Sequence, residues 1–120
     1  MRPHENLNVW KKAVDFVVEI YKTTERYPKE EKFGLTSQIR RASVSAPANI
    51  AEGAARKSLK EFSHFLSNAQ GPASEVETEL LISYRLGYIS KAQFVEFQTS
   101  LDSIGKVMNG LTRRLAQNVS

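Results

Sequence analysis

The side chains that could do chemistry are few, and their spacing does not favour it. The sequence holds two histidines and no cysteine, which excludes disulfides, thiol nucleophiles and cysteine-based zinc sites. The residue one helical turn beyond His64 is Asn68 rather than a carboxylate or a second histidine, and His4 stands apart near the N-terminus. No helical pair of metal ligands results, and His64 reads as a surface or interface side chain. No Gly-x-Ser-x-Gly elbow and no Gly-x-x-x-x-Gly-Lys phosphate loop occurs. Glu75, Glu77 and Glu79 suggest paired carboxylates, but a helix turns Glu77 away from the other two, so a solvated or ion-paired face is the simpler reading. Trp10, Tyr84 and Tyr88 could stack on bases, yet aromatics at helical spacing usually belong to a core. The sequence therefore predicts no catalytic residue, no metal and no cofactor.

The cations are more informative. Over 120 residues the net charge is +4. Residues 40 to 60 carry Arg40, Arg41, Arg56, Lys57 and Lys60 against Glu52 alone, and the rest of the chain is neutral. A confined basic segment is the electrostatic footprint expected of a surface for RNA or DNA. The bland alternative is an unevenly charged but ordinary solvated surface, since five cations are few for a phosphate-contacting face. The first residues, Met1 to Asn6, show no apolar leader, and no run approaches the roughly 20 apolar residues of a membrane helix. A soluble cytoplasmic protein without membrane contact is expected.

Four helical segments must position these residues, and no stretch alternates like a strand. The first covers 8–26, with Trp10, Ala13, Val14, Val17, Ile20, Tyr21 and Thr24 at three- and four-residue steps, and ends before Tyr27-Pro28. The second covers 33–55 and contains Pro47, which predicts a kink near Ser43 to Ala46 or a division into two shorter helices. The third covers 58–86, from the capping box Ser58 to Glu61 to a stop at Gly87, with a bend expected at Gly71-Pro72. The fourth covers 90–115, from a second capping box at Ser90 to Gln93 along Phe94, Phe97, Leu101, Ile104, Met108, Leu111 and Leu115, then frays. Short connections make neighbours antiparallel. The expected fold is one all-α domain, an antiparallel up-down-up-down four-helix bundle.

Placed at roughly 100° per residue, the second helix has three faces. Leu35, Ile39, Ala42, Ala46, Ile50 and Gly53 form a core stripe. Beside it run Gln38, Arg41, Ser45, Asn49 and Glu52, all polar. Opposite the core lie Val44, Ala48, Ala51 and Ala55, where a helix packed on one side only would carry charge. These small residues predict contact with another subunit, against the alternative that alanine simply favours helix. The polar stripe would then lie between two apolar faces and need internal partners, since unsatisfied burial costs about 1–3 kcal/mol per group. Glu75 and Glu79 are like charges at i,i+4, and Arg41 is an expected partner for one of them. That leaves Arg40, Arg56, Lys57 and Lys60 for solvent or nucleic acid.

Several runs resemble one family. They are Leu7-x-Val9-Trp10-x-Lys12-Ala13, then Tyr27-Pro28-Lys29-Glu30-Glu31-x-Phe33-Gly34-Leu35-Thr36-Ser37-Gln38, then Arg40-Arg41-Ala42-x-Val44-Ser45 and Pro47-Ala48-Asn49-Ile50-Ala51-Glu52-Gly53. They resemble the four-helix-bundle proteins encoded in intervening sequences of bacterial 23S ribosomal RNA genes, called S23, to which the accessory protein of diversity-generating retroelements is related. The resemblance spans nearly the whole chain and departs from the family pattern at Gln70-Gly71-Pro72. It implies a homopentameric ring with a basic surface and no enzymatic activity. For the retroelement branch it implies binding to a reverse transcriptase and to nucleic acid; for most other members it implies no established function. A protein-binding scaffold without direct nucleic-acid contact is the alternative to a nucleic-acid-binding oligomer.

Overall fold

The helical periodicity folds as helix wherever it was read. The computed structural model describes residues 7–117; His4 and the last three residues of the expected frayed tail lie outside them. α1 (Asn8–Thr24) is followed by a 3₁₀ turn at Lys29–Glu31, α2 (Leu35–Ala54), α3 (Leu59–Asn68), α4 (Gln70–Arg85) and α5 (Lys91–Gln117), with no strand among the described residues. α3 and α4 together form the third rod of an antiparallel bundle measuring 49 × 23 × 22 Å. α1 packs on α2 and α5, and the α3–α4 rod packs on the same two helices from the other side.

Caps set most of the boundaries. The Glu61 amide donates to the Ser58 hydroxyl (3.1 Å) at the start of α3. At the start of α5 the Gln93 amide donates to Ser90 Oγ (3.1 Å) and the Ser90 amide donates to Gln93 Oε1 (2.8 Å), closing both halves of a capping box. α4 stops where Gly87 takes φ +81°, with Gly87 N–H on Tyr84 O and Tyr88 N–H on Ser83 O, the paired bonds of a Schellman stop. α2 begins two residues later than its apolar pattern suggests. The Glu31 carboxylate accepts from the Leu35 amide (3.2 Å) and from the Tyr88 hydroxyl (2.9 Å). The chain is thereby turned so that Phe33 stands 89% exposed outside the helix.

The two prolines behave differently from each other. α2 runs unbroken through Pro47, which removes the alternative of two shorter helices; the proline ring is buried in the bundle. In the third rod the discontinuity falls at Ala69, three residues before Pro72, so the expected single bent helix is two helices. Pro72 is the third residue of α4, where a helix has no internal acceptor for an amide, and the missing N–H costs nothing.

The core gathers Val9, Ala13, Phe16 and Ile20 from α1, Leu35, Ile39, Ala42 and Ile50 from α2, Leu66, Val76 and Leu80 from the third rod, and Phe97, Ile104, Met108 and Leu115 from α5. Gly53 is packed so tightly that a Cβ there would lie 2.8 Å from Phe62 Cδ1 and 3.0 Å from Phe65 Cβ. The glycine is what lets α2 and α3 approach. No described helix is long and apolar enough to cross a membrane.

Candidate nucleic-acid interface

The basic turn between α2 and α3 is the most cationic exposed segment near the bundle end. Arg56, Lys57, Ser58, Leu59 and Lys60 are all exposed. Arg56 is held in place: its guanidinium donates to Glu52 Oε2 at 2.8 Å and lies 4.9 Å from the centre of the Phe65 ring. Both contacts fix its position while leaving the group at the surface. Lys57 and Lys60 extend the cationic surface around the turn, which the Ser58 cap pins to the first turn of α3 through the Glu61 amide.

Arg40 does not join them. Its Nε donates to Thr24 Oγ1 (2.8 Å) and its Nη2 to the Tyr21 carbonyl (3.2 Å), and its guanidinium covers the Tyr21 ring at 4.5 Å. Thr24 in turn donates to the Ile20 carbonyl at 2.7 Å. Arg40 is thus a tie between α1 and α2, which corrects the expectation that it stands free for a ligand. Its position on the helix explains the miss. The buried face of α2 also takes in Thr36, Ser43 and Pro47, so it is wider than the apolar stripe alone, and Arg40 sits on its margin.

The polar stripe is not assembled into a buried network within one chain. Gln38, Arg41 and Glu52 are exposed, and Ser45 and Asn49 are half-buried. Asn49 Nδ2 donates to the Ser45 carbonyl (2.9 Å) and hydroxyl (3.0 Å), while Glu52 turns to Arg56. Glu75 is exposed. Glu79 is 4% exposed, and neither of its carboxylate oxygens has a hydrogen-bond partner, so Arg41 does not neutralise it. Burial, with the charge of Glu75 one turn earlier, pushes the Glu79 carboxyl up to about 7. The spacing of Glu75 and Glu79 signalled repulsion; it did not show that Glu79 turns inward.

On the outer face of α2, Val44 and Ala48 are exposed and Ala51 is half-buried; Ala55, just past the helix end, is exposed as well. Among the described residues, Val44 and Ala48 are left uncovered. Among the described residues no three histidine, cysteine or acidic side chains gather as a metal site.

Comparison with known proteins agrees with this architecture. A crystal structure of a protein of unknown function from the S23 ribosomal protein family of Bacteroides thetaiotaomicron superimposes with a TM-score of 0.76, at 28% sequence identity, over 87% of this chain and 97% of that one. No curated protein matches the sequence. The family model for the 23S rRNA-intervening sequence protein matches residues 5–110. That match takes in all four rods of the bundle, and the chain belongs to the 23S rRNA-intervening sequence protein family.

Proposed function

We propose that this protein is a non-enzymatic bundle that assembles with copies of itself and binds RNA or DNA through the turn carrying Arg56, Lys57 and Lys60. The observation that carries the reading is that turn: three exposed cations on a capped, pre-formed segment, with Arg56 further fixed by Glu52 and Phe65. Pre-positioned cations lose little side-chain freedom on meeting phosphate, and neutralising phosphates releases counterions. Three cations make a weak site. A ring, pentameric as the family resemblance implies, repeats the site and lets several turns engage one polymer, so that avidity supplies what a single turn lacks. The exposed Val44 and Ala48, with Ala51 half-buried beside them, support self-association through α2.

Fluorescence anisotropy with single-stranded RNA and duplex DNA tests the binding. Affinity should fall steeply as salt rises, and Arg56→Ala combined with Lys57→Ala and Lys60→Ala should abolish it. Binding that ignores salt, or that survives the triple substitution, removes the proposal. Recovery of a protein partner after nuclease treatment, with no nucleic-acid affinity of the bundle alone, would replace it with the scaffold reading.

A further inference from the structure

The face formed by α1 and α5 carries a feature of opposite character to the basic turn. A cleft of about 480 Å³ opens between the two helices. Its floor is made by Phe16 and Phe97, packed edge to face at 5.8 Å between ring centres, with Ile104 beside them. Its rim carries Asp15 and Glu19 from α1 and Glu96 from α5, against Lys12 alone. Lys12 reaches across one part of the cleft to Ser103 Oγ (3.3 Å), and the ion pair of Glu19 among the described residues, to Lys22, is a loose and exposed 3.9 Å. Thr23, Gln93, Thr99 and Ser100 complete the wall. In a chain of net charge +4, this cleft has three carboxylates and one amine.

We infer that the α1–α5 cleft binds a small organic cation with a flat apolar body, the chemistry of an aryl amidinium. The volume falls in the range of small-molecule sites, about 300–1,000 Å³. The floor is apolar but narrow, since Phe16 is 6% exposed, Phe97 8% and Ile104 5%. That suits the edge or face of one ring better than the broad apolar side of a partner helix. Each carboxylate on the rim offers two coplanar oxygens of the kind that an amidinium or guanidinium matches with two N–H groups, and Thr23, Thr99 and Ser100 place hydroxyls on the same walls for the remaining ones. The cleft lies between α1 and α5, away from the outer stripe of α2, so occupation of one leaves the other free.

The test uses benzamidine as the probe and spermidine as a cation lacking a flat apolar body, each titrated into the full-length protein while backbone amide resonances are followed. Benzamidine should saturate a single site, with shifts centred on Thr23, Gln93, Thr99, Ser100 and Ser103, and should bind more tightly than spermidine. Glu19→Gln with Glu96→Gln should weaken it about tenfold, the scale of losing hydrogen bonds to charged groups. Glu61→Gln with Glu77→Gln, two exposed carboxylates outside the cleft, should leave it unchanged. Circular dichroism of each variant checks that the bundle is intact. The inference is overturned if benzamidine fails to saturate at millimolar concentration, if spermidine binds as tightly, or if the two double variants behave alike, since any of these reduces the cleft to diffuse attraction of cations.

Discussion

Burying Glu79 without a donor makes its proton part of the fold. With a folded value near 7, above the ordinary carboxylate range, the folded chain holds a proton that the unfolded chain has already released. Stability is therefore greatest in acid with respect to this group, and falls as pH rises from the unfolded value through about 7. Glu79→Gln should remove that fall and stabilise the protein at pH 8 by about 1–3 kcal/mol, the cost of ionising a buried carboxyl that the amide does not carry, with little effect near pH 4; urea unfolding at both pH values measures it. Arg40→Ala should cost about 1–3 kcal/mol by removing charge-assisted hydrogen bonds to Thr24 and Tyr21, while leaving nucleic-acid affinity unchanged. A drop in affinity without a drop in stability would reinstate Arg40 as a ligand contact. Neither role could be read from spacing. Both depend on what the neighbouring helix presents: Arg40 meets two acceptors on α1, and Glu79 meets none.

At the scale of elements the sequence was far more legible, because helix ends are decided locally. Ser58, Ser90 with Gln93, and Gly87 each act within a few residues of their own position; the box at Ser90 and the stop at Gly87 form as their spacing predicts, and of the box expected at Ser58 to Glu61 the Ser58 half forms. Gly53 was correctly placed in the core stripe, but not the reason for it. Gly53→Ala would raise helix propensity by about 1 kcal/mol, yet its methyl would meet Phe62 and Phe65 within 3.0 Å. The net result should be a loss of about 1–3 kcal/mol from overpacking, read as a lowered thermal midpoint. The break at Ala69 falls within one turn of the bend expected at Gly71-Pro72, because a proline acts one turn upstream: it cannot donate to the carbonyl four residues earlier, here that of Asn68, and its ring crowds it.

The whole molecule separates its charges: cations cluster on the α2–α3 turn, carboxylates line the α1–α5 cleft, and the outer face of α2 is small and weakly polar. The four-rod architecture was legible from periodicity alone. The cleft was not, since it arises from two helices distant in sequence whose individual residues look like ordinary surface. If α2 is where copies meet, Val44→Glu should place a charge in that contact and shift the assembly to monomer, measured by sedimentation velocity, while an unchanged sedimentation coefficient would move the contact elsewhere. Loss of assembly should also weaken RNA or DNA binding more than any single lysine substitution does, because avidity depends on repetition.

The break at Ala69 also divides the third rod into parts of unequal anchorage. α3 has ten residues and a single buried one, Leu66, whereas α4 buries Val76, Glu79, Leu80 and Ser83 and is locked at its end by Gly87. Segments with few fully buried side chains open first. Amide protons of α3 should therefore exchange with deuterium well before those of α4, as a unit that includes the basic turn. A bound polymer that steadies this turn would slow exchange throughout α3, giving a readout of occupancy at residues that never touch the ligand.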